Sequence, residues 1–352
     1  GRLEDEVVHL PLTAETCKAF EGASWHDPDY LAQRDRDVPH GIWDTLLKRW
    51  AFAEGWQGNW EWGWCLECGR QTGKKGSTKP FPRFVQRRST GTEAEPRYAY
   101  EVGKPVVERR AHTALNPTRG TAEFGLLFAD ELVVPDTIFC LCIRVQGQTQ
   151  QELNDRIQRI KGWEKDKIRL GGAKSRGHGL IEFTRFARDD EAPKTEPLVD
   201  RLRRFDELVK RKANGNLETS RTYFVFTLQA PLILPDQDVY PDWCIRKGRN
   251  GDWKRVFLSV AALSDARLEF AQHRFTQVTG WSSLWQLPKP TLRALAAGNV
   301  YVFSTTANVS AVEPIAGELE FLGAGLFRPE GFGAINVGDP FHREVTIHGD
   351  TA

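Results

Sequence analysis

Two stretches decide the reading: Leu170-Gly-Gly-Ala-Lys-Ser-Arg-Gly-His-Gly-Leu-Ile-Glu-Phe183 and, near the other end, Leu322-Gly-Ala-Gly-Leu-Phe-Arg-Pro-Glu-Gly-Phe-Gly-Ala-Ile-Asn-Val337. Each sets glycines and an arginine in a short loop, then runs into an apolar, alternating segment that reads as a strand. Glycine takes positive φ readily and lets a backbone approach a ligand, and successive free N–H groups suit an anion. In the first copy Lys174, Arg176 and His178 add charge or donors for a phosphate. One such loop serves equally well as a hairpin that only shapes a sheet edge. Two of them, each near the close of a comparable block, favour a binding role.

The block ahead of the first loop offers an apolar, β-branched strand over Thr137–Val145. A helix over Gln150–Lys161 follows, with Leu153, Ile157 and Ile160 on one stripe, and the loop then leads into a strand over Gly179–Phe186. Upstream stand a short apolar piece, Val7–Leu12, and a helix with Ile42, Leu46, Leu47 and Trp50 on one face. A polar linker over 187–197 separates this block from the next. There a basic helix turns Leu198, Leu202, Phe205 and Val209 inward, ringed by Arg201, Arg203, Arg204, Lys210, Arg211 and Lys212. That ring reads as solvated surface or as a phosphate contact. Strands are expected over Thr222–Gln229, Arg255–Val260, Arg267–Phe275 and Val300–Ser304. Short helices are expected over Thr291–Ala297, stopped by Gly298, and over Val312–Leu319, before the second loop enters Gly333–Val337. The order fits an α+β protein of two ferredoxin-like, split βαβ domains. The first spans 1–186, with an insertion over about 56–97. Residues 187–219 form the linker and basic helix, and 220–352 the second domain.

At 352 residues the chain is long enough for two cores, and 40% hydrophobic with 27% charged residues is ordinary globular composition. A net charge of +1 announces no global basic field, so any nucleic-acid contact relies on local patches. No apolar run approaches membrane-spanning length, and the start, Gly-Arg-Leu-Glu-Asp-Glu, is unlike a signal peptide, which points to the cytoplasm. The absence of methionine suggests that an opening strand and loop lie upstream of the sequence given. Twelve tryptophans point to large partner surfaces. Cys65-Leu-Glu-Cys68 looks like half of a structural zinc site, with Cys17 and His40 as candidates to complete it and His26 as a substitute. Cys140 and Cys142 alternate on an apolar run and read as packing, and Cys244 has no partner in sequence. For RNA cleavage the tempting groups are His112 beside Arg109 and Arg110, and His178 in the loop. Asp130 and Asp136 read more simply as caps or turn formers.

The glycine loops, taken together, resemble the RAMP superfamily, the ferredoxin-like (RRM-type) RNA-binding subunits of CRISPR effector complexes. The resemblance extends over nearly the whole chain. Leu12-Thr-Ala-Glu-Thr-Cys-Lys18, His40-Gly-Ile-Trp-Asp44 and Cys65-x-x-Cys68 are similar to the N-terminal half of the large RAMP subunit of type III-D complexes. His112-Thr-Ala-Leu-Asn116 with Arg119-Gly-Thr-Ala-Glu123, and Leu287-Pro-Lys-Pro290 with Gly298-Asn-Val-Tyr-Val-Phe303, fit it too. The resemblance implies a non-catalytic subunit that grips the 5′ handle of the CRISPR RNA (crRNA). Its neighbours would be backbone RAMP subunits and a large polymerase-like subunit, and it would meet target RNA indirectly. The RNA-binding residues so implied are Gly171, Gly172, Lys174, Ser175, Arg176, Gly177 and His178 in the first loop, Arg119, and Arg328, Gly331, Phe332 and Gly333 in the second. A RAMP endoribonuclease cutting repeat or target RNA, with His112 or His178 as base, is the alternative.

Overall fold

Thr222–Leu228 is apolar on both sides of its pleat, and a strand of that kind has to be covered on both faces. In the computed structural model all of its residues are buried. The structure describes residues 5–17, 42–57, 78–81, 84–89, 98–101, 107–139, 141, 143–165, 168–183, 196–235, 252–282 and 284–343. Packing divides the chain into two units, a smaller one over 138–195 (with 1–4) and a larger one over 5–137 and 196–352.

The larger unit opens with β1 (Asp5–His9), β2 (Ala14–Cys17), β3 (Ile42–Asp44), α1 (Leu46–Glu54), β4 (Thr78–Pro80), β5 (Phe84–Ser89) and β6 (Tyr98–Glu101). The hairpin β7 (Val107–Leu115) and β8 (Ala122–Val133) follows. The smaller unit holds α2 (Gln150–Gly162), β9 (Ile168–Arg169) and β10 (Leu180–Ile181). The chain re-enters the larger unit through α3 (Leu198–Ala213), β11 (Thr222–Leu228), β12 (Leu232–Ile233), α4 (Asp252–Val256), α5 (Leu258–Ala261) and β13 (Arg267–Gln272). Then come β14 (Phe275–Val278), β15 (Trp281–Ser282), β16 (Leu287–Pro288), β17 (Leu292–Leu295), β18 (Val300–Thr305), α6 (Val309–Leu322) and β19 (Ile335–Val337).

The central sheet is antiparallel in the order β13-β18-β11-β19. Side chains alternate across it. Phe224, Phe226, Leu228, Tyr301 and Phe303 share a core with Trp253, Val256, Phe257 and Val260 and with Val312, Ala316 and Leu319 of α6. Tyr223, Val225, Val300 and Val302 pack with Leu46 and Trp50 of α1 and Phe205 and Val209 of α3. Both faces are therefore covered. The central sheet leaves no open face for bases to stack on, as an RRM-type sheet would offer.

A buried ionic network joins the ends of the larger unit. Arg87 of β5 donates to Asp339 at 2.9 Å, with both side chains almost fully buried. Asp339 also accepts from the Asn336 amide and the Phe341 N–H. Arg201 of α3 makes a two-pronged contact with Glu320 of α6 and donates to Asn336 Oδ1 and the Val337 carbonyl. His342 bridges Asp44 and Thr227, each at 2.8 Å. Burial on its own would raise the Asp339 carboxyl, but Arg87, His342, the Phe341 N–H and Arg201 outweigh it and hold the group below the usual carboxylate range. Burial likewise opposes the charge on Arg201, and Glu320 more than restores it.

The structure departs from the sequence reading in several places. Ile42 belongs to strand β3, and the helix that carries Leu46, Leu47 and Trp50 begins only at Leu46. Arg255–Val260 is helical, because Trp253, Val256, Phe257 and Val260 recur at helical spacing and bury one stripe. Thr291–Ala297 is strand β17, held on one side by β12 and on the other by β14. Thr137–Val145 forms no strand among the described residues. Asp136 turns the chain at φ 61° just after β8, and Ile138, Phe139 and Leu141 lie exposed with no ladder partner. Cys140 and Cys142 fall outside the described residues. No described helix is long and apolar enough to cross a membrane.

Asp339→Ala removes the acceptor of a buried arginine and should destabilise the larger unit by about 3–5 kcal/mol. Because the carboxyl is depressed in the folded state, its contribution is full at neutral pH and fades as pH falls through the folded value. Urea unfolding at neutral and acidic pH checks this: wild type and variant should differ at neutrality and converge on acidification.

Candidate nucleic-acid interface

In the smaller unit, β9 and β10 form a two-stranded ladder, and the first glycine loop closes it. Leu170 N–H donates to the Gly179 carbonyl at 2.8 Å. Between them the backbone takes positive φ at Gly171 (85°), Ala173 (53°), Gly177 (91°) and Gly179 (76°), around a single 3-10 turn over Lys174–Arg176. A Cβ on Gly179 would sit 1.9 Å from the Leu170 oxygen, so only glycine fits there. The Arg169 guanidinium donates to the Gly177 and His178 carbonyls and fastens the loop to its own strand. Lys174, Ser175 and Arg176 are exposed. Among the described residues neither cation has an ion-pair partner, and the N–H groups of Gly172, Ala173, Lys174 and Ser175 meet no protein acceptor.

The second loop, in the larger unit, repeats this conformation residue for residue. Ala324 stands for Leu170, Gly325 for Gly171, Phe327 for Ala173, Gly331 for Gly177 and Gly333 for Gly179, with φ of 80°, 56°, 92° and 71° at the last four. Ala324 N–H donates to the Gly333 carbonyl at 3.0 Å, and a Cβ on Gly333 would lie 1.8 Å from the Ala324 oxygen. The same 3-10 turn covers Arg328–Glu330. This copy is pinned to β12 and the residue before it, through Leu326 N–H to the Ile233 carbonyl and Gly333 N–H to that of Pro231.

The chemistry of the two loops differs. Arg328 keeps the cation of Lys174, but Pro329 replaces Ser175, Glu330 replaces Arg176 and Phe332 replaces His178. Phe332 is half-buried, whereas Phe327, 45% exposed, presents its ring to solvent. Left-handed backbone costs a non-glycine residue about 1 kcal/mol. Ala173 shows that the loop forms without a large ring at this position. Spacing alone does not single out Phe327, because its signal is its φ.

Arg119 stands at the tip of the β7–β8 ribbon, in a turn where the Asn116 side chain accepts from Thr118 and Arg119 N–H. The ribbon leaves Leu115, Phe124 and Leu127 exposed on its flanks. Sequence reasoning missed this ribbon, although Asn116-Pro-Thr-Arg-Gly120 is a turn cluster between two strand-forming runs. On it His112 lies 3.7 Å from Asp130, both half-exposed. Most of the basic ring on α3 is neutralised: Arg201 by Glu320, Arg203 by Asp200, Arg204 by Glu196 and Lys210 by Asp206. Among the described residues Lys174, Arg176 and Arg328 have no such carboxylate partner.

Of the metal candidates, His26, His40, Cys65 and Cys68 lie outside the described residues, and only the backbone of Cys17 is described. That backbone is informative. Cys17 ends β2 opposite Thr78, the first residue of β4, next to the Thr16–Ile42 pair that opens β3. Ile42 and Thr78 open β3 and β4 at the end of this three-stranded sheet where Cys17 stands. Among the described residues no group of three or more His, Cys, Asp or Glu could hold a metal.

None of the curated proteins matches the chain at a significant level. A family model described as CRISPR-associated protein (Cas_Cmr3) matches residues 83–340, which spans both glycine loops and begins after all the metal candidates.

Proposed function

The chain belongs to the CRISPR-associated Cas_Cmr3 family, RAMP-like subunits of type III CRISPR-Cas effectors, and we propose that within such an effector it grips the 5′ handle of the crRNA without cutting it. The observation that carries this reading is the pair of glycine loops with one backbone conformation and cations that have no ion-pair partner among the described residues. A single-stranded RNA is held by cations and N–H groups along its backbone and by rings under its bases. In this assignment Gly171, Gly172, Gly177 and the N–H groups between them cradle a phosphate, with Lys174, Ser175, Arg176 and His178 around it. Arg328 contacts a second phosphate in the loop shaped by Gly331 and Gly333. Phe327 stacks on a base, Phe332 is the second ring of this loop, and Arg119 reaches the strand from the ribbon tip.

The central strand order, with a helix after β11 and another after β18, supports a ferredoxin-like unit in the second half. The repeated loop supports a related unit in the first half. Backbone RAMP subunits and the large polymerase-like subunit are the protein neighbours in this reading, target RNA is met indirectly, and the work is done in the cytoplasm. A structural zinc on Cys65 and Cys68, completed by Cys17 and His40, would pin the insertion to the end of the β3-β2-β4 sheet. Endonucleolytic cutting is the second reading, and His112 beside Asp130 is the observation in its favour.

The test is binding of labelled handle RNA to the purified chain across a salt series. Lys174→Ala with Arg176→Ala should weaken binding at least about tenfold and flatten the log–log salt slope by about 0.7 for each phosphate no longer neutralised. Phe327→Ala should cost about 1–3 kcal/mol of affinity with the salt slope unchanged. Handle RNA bound no better than unrelated RNA, with full affinity in the loop variants, overturns the reading. A single cut in repeat RNA under EDTA, abolished by His112→Ala, would favour the nuclease instead. Elemental analysis should find about one zinc per chain, released in Cys65→Ser.

A further inference from the structure

Beyond the handle site, we propose that the β15–β16 hairpin is a protein-docking element that inserts into an apolar, carboxylate-rimmed groove on a neighbouring subunit of the effector. The hairpin continues past the end of the β14–β17 pair and is built as a ribbon. Trp281 pairs with Pro288 and Ser282 with Leu287, and Lys289 N–H donates to the Gly280 carbonyl at 2.8 Å. Its turn is closed by Trp285 N–H on the Ser282 hydroxyl, with Gln286 in the left-handed region.

On this ribbon four large apolar side chains face solvent: Trp281 (58% exposed), Leu284 (86%), Trp285 (72%) and Leu287 (59%). Among the described residues none of them belongs to a core. Tryptophans of this kind are the residues that dominate protein interfaces, and a ribbon already formed loses little freedom when it docks.

Charge selects the occupant. No Asp or Glu stands between Glu269 and Glu313, while Arg274, Lys289 and Arg293 do. The segment between Trp281 and Leu287 carries no charge at all; Lys289, bonded to Gly280, stands at the root of the ribbon, and Arg274 lies beyond the other end of the β14–β17 pair. An RNA platform interleaves cations with rings along its whole length. Here two of the four exposed groups are leucines, which have no π face to offer a base. An apolar floor that takes the tip, with acidic side chains at its rim to meet Lys289, is a protein surface. The chain is a subunit of a multisubunit effector, so such surfaces lie beside it.

The experiment is reconstitution of the effector from its purified subunits and crRNA with Trp285→Ala, Leu284→Asp or Lys289→Glu in this chain. A photo-crosslinking residue at position 285 is introduced in parallel. Trp285→Ala should weaken incorporation of the chain about 30-fold, the effect of removing an interface anchor. Leu284→Asp should weaken it further, and the defect of Lys289→Glu should shrink at high salt. The photo-adduct should be with one defined protein subunit. Binding of handle RNA by the isolated variants, measured as above, should match wild type, which keeps this test separate from that of the handle site. Incorporation of Trp285→Ala equal to wild type overturns the proposal. So does an adduct with RNA, an adduct within the same chain, or no adduct.

Discussion

A carboxylate near the end of the chain holds the larger unit together. Asp339 receives Arg87 from a strand in the first third of the sequence, while Asn336, Arg201 and Glu320 tie the same corner to helices α3 and α6. His342, three residues on, carries the tie to Asp44. An ion pair this buried contributes little net stability compared with apolar packing, but removing either partner strands a charge. Its effect is to set the register of segments far apart in sequence. The loop ending at Gly333 is part of what this corner positions, since β19 follows it directly and pairs with β11.

Covering both faces of the central sheet has a functional consequence. With Phe224, Phe226 and Phe303 under α4–α6, and Tyr223, Val225 and Val302 under α1 and α3, the recognition proposed for this unit is left to loops and ribbons. The glycine loops suit that task because their shape is imposed by sterics and not by sequence-specific side-chain contacts. Gly179 and Gly333 are each pressed against a carbonyl that leaves no room for a Cβ. The side chains on the cradle are then free to differ: Arg176 in one is Glu330 in the other, and Ala173 is Phe327. One backbone device thus carries two chemistries.

Much of this is legible in the sequence, for identifiable reasons. The stripes of Leu153, Ile157 and Ile160, and of Leu202, Phe205 and Val209, mark their helices, and unbroken apolar runs mark β11 and β18. The misreadings have physical causes. Short apolar runs such as Arg255–Val260 and Thr291–Ala297 carry too few residues to separate a period of two from one of 3.6, and tertiary partners decide them. Thr137–Val145 has strand-forming residues but no described neighbour to pair with. Glycine spacing is enough to locate the loops. Their residue-for-residue identity of conformation is hidden, because only Gly171/Gly325, Gly177/Gly331 and Gly179/Gly333 are shared in type among the equivalent positions from 170 to 179. The neutralisation of the α3 arginines is hidden too, since their carboxylate partners include Glu320, remote in sequence.

The most direct measurement is to isolate the tagged chain from its native host and sequence the RNA that accompanies it, alongside the Lys174→Ala, Arg176→Ala variant. A handle-gripping subunit predicts one constant 5′ segment followed by varied spacer sequence, depleted in the variant when the chain is separated from its complex. Unrelated RNA, or none, with wild type and variant alike, would contradict the account.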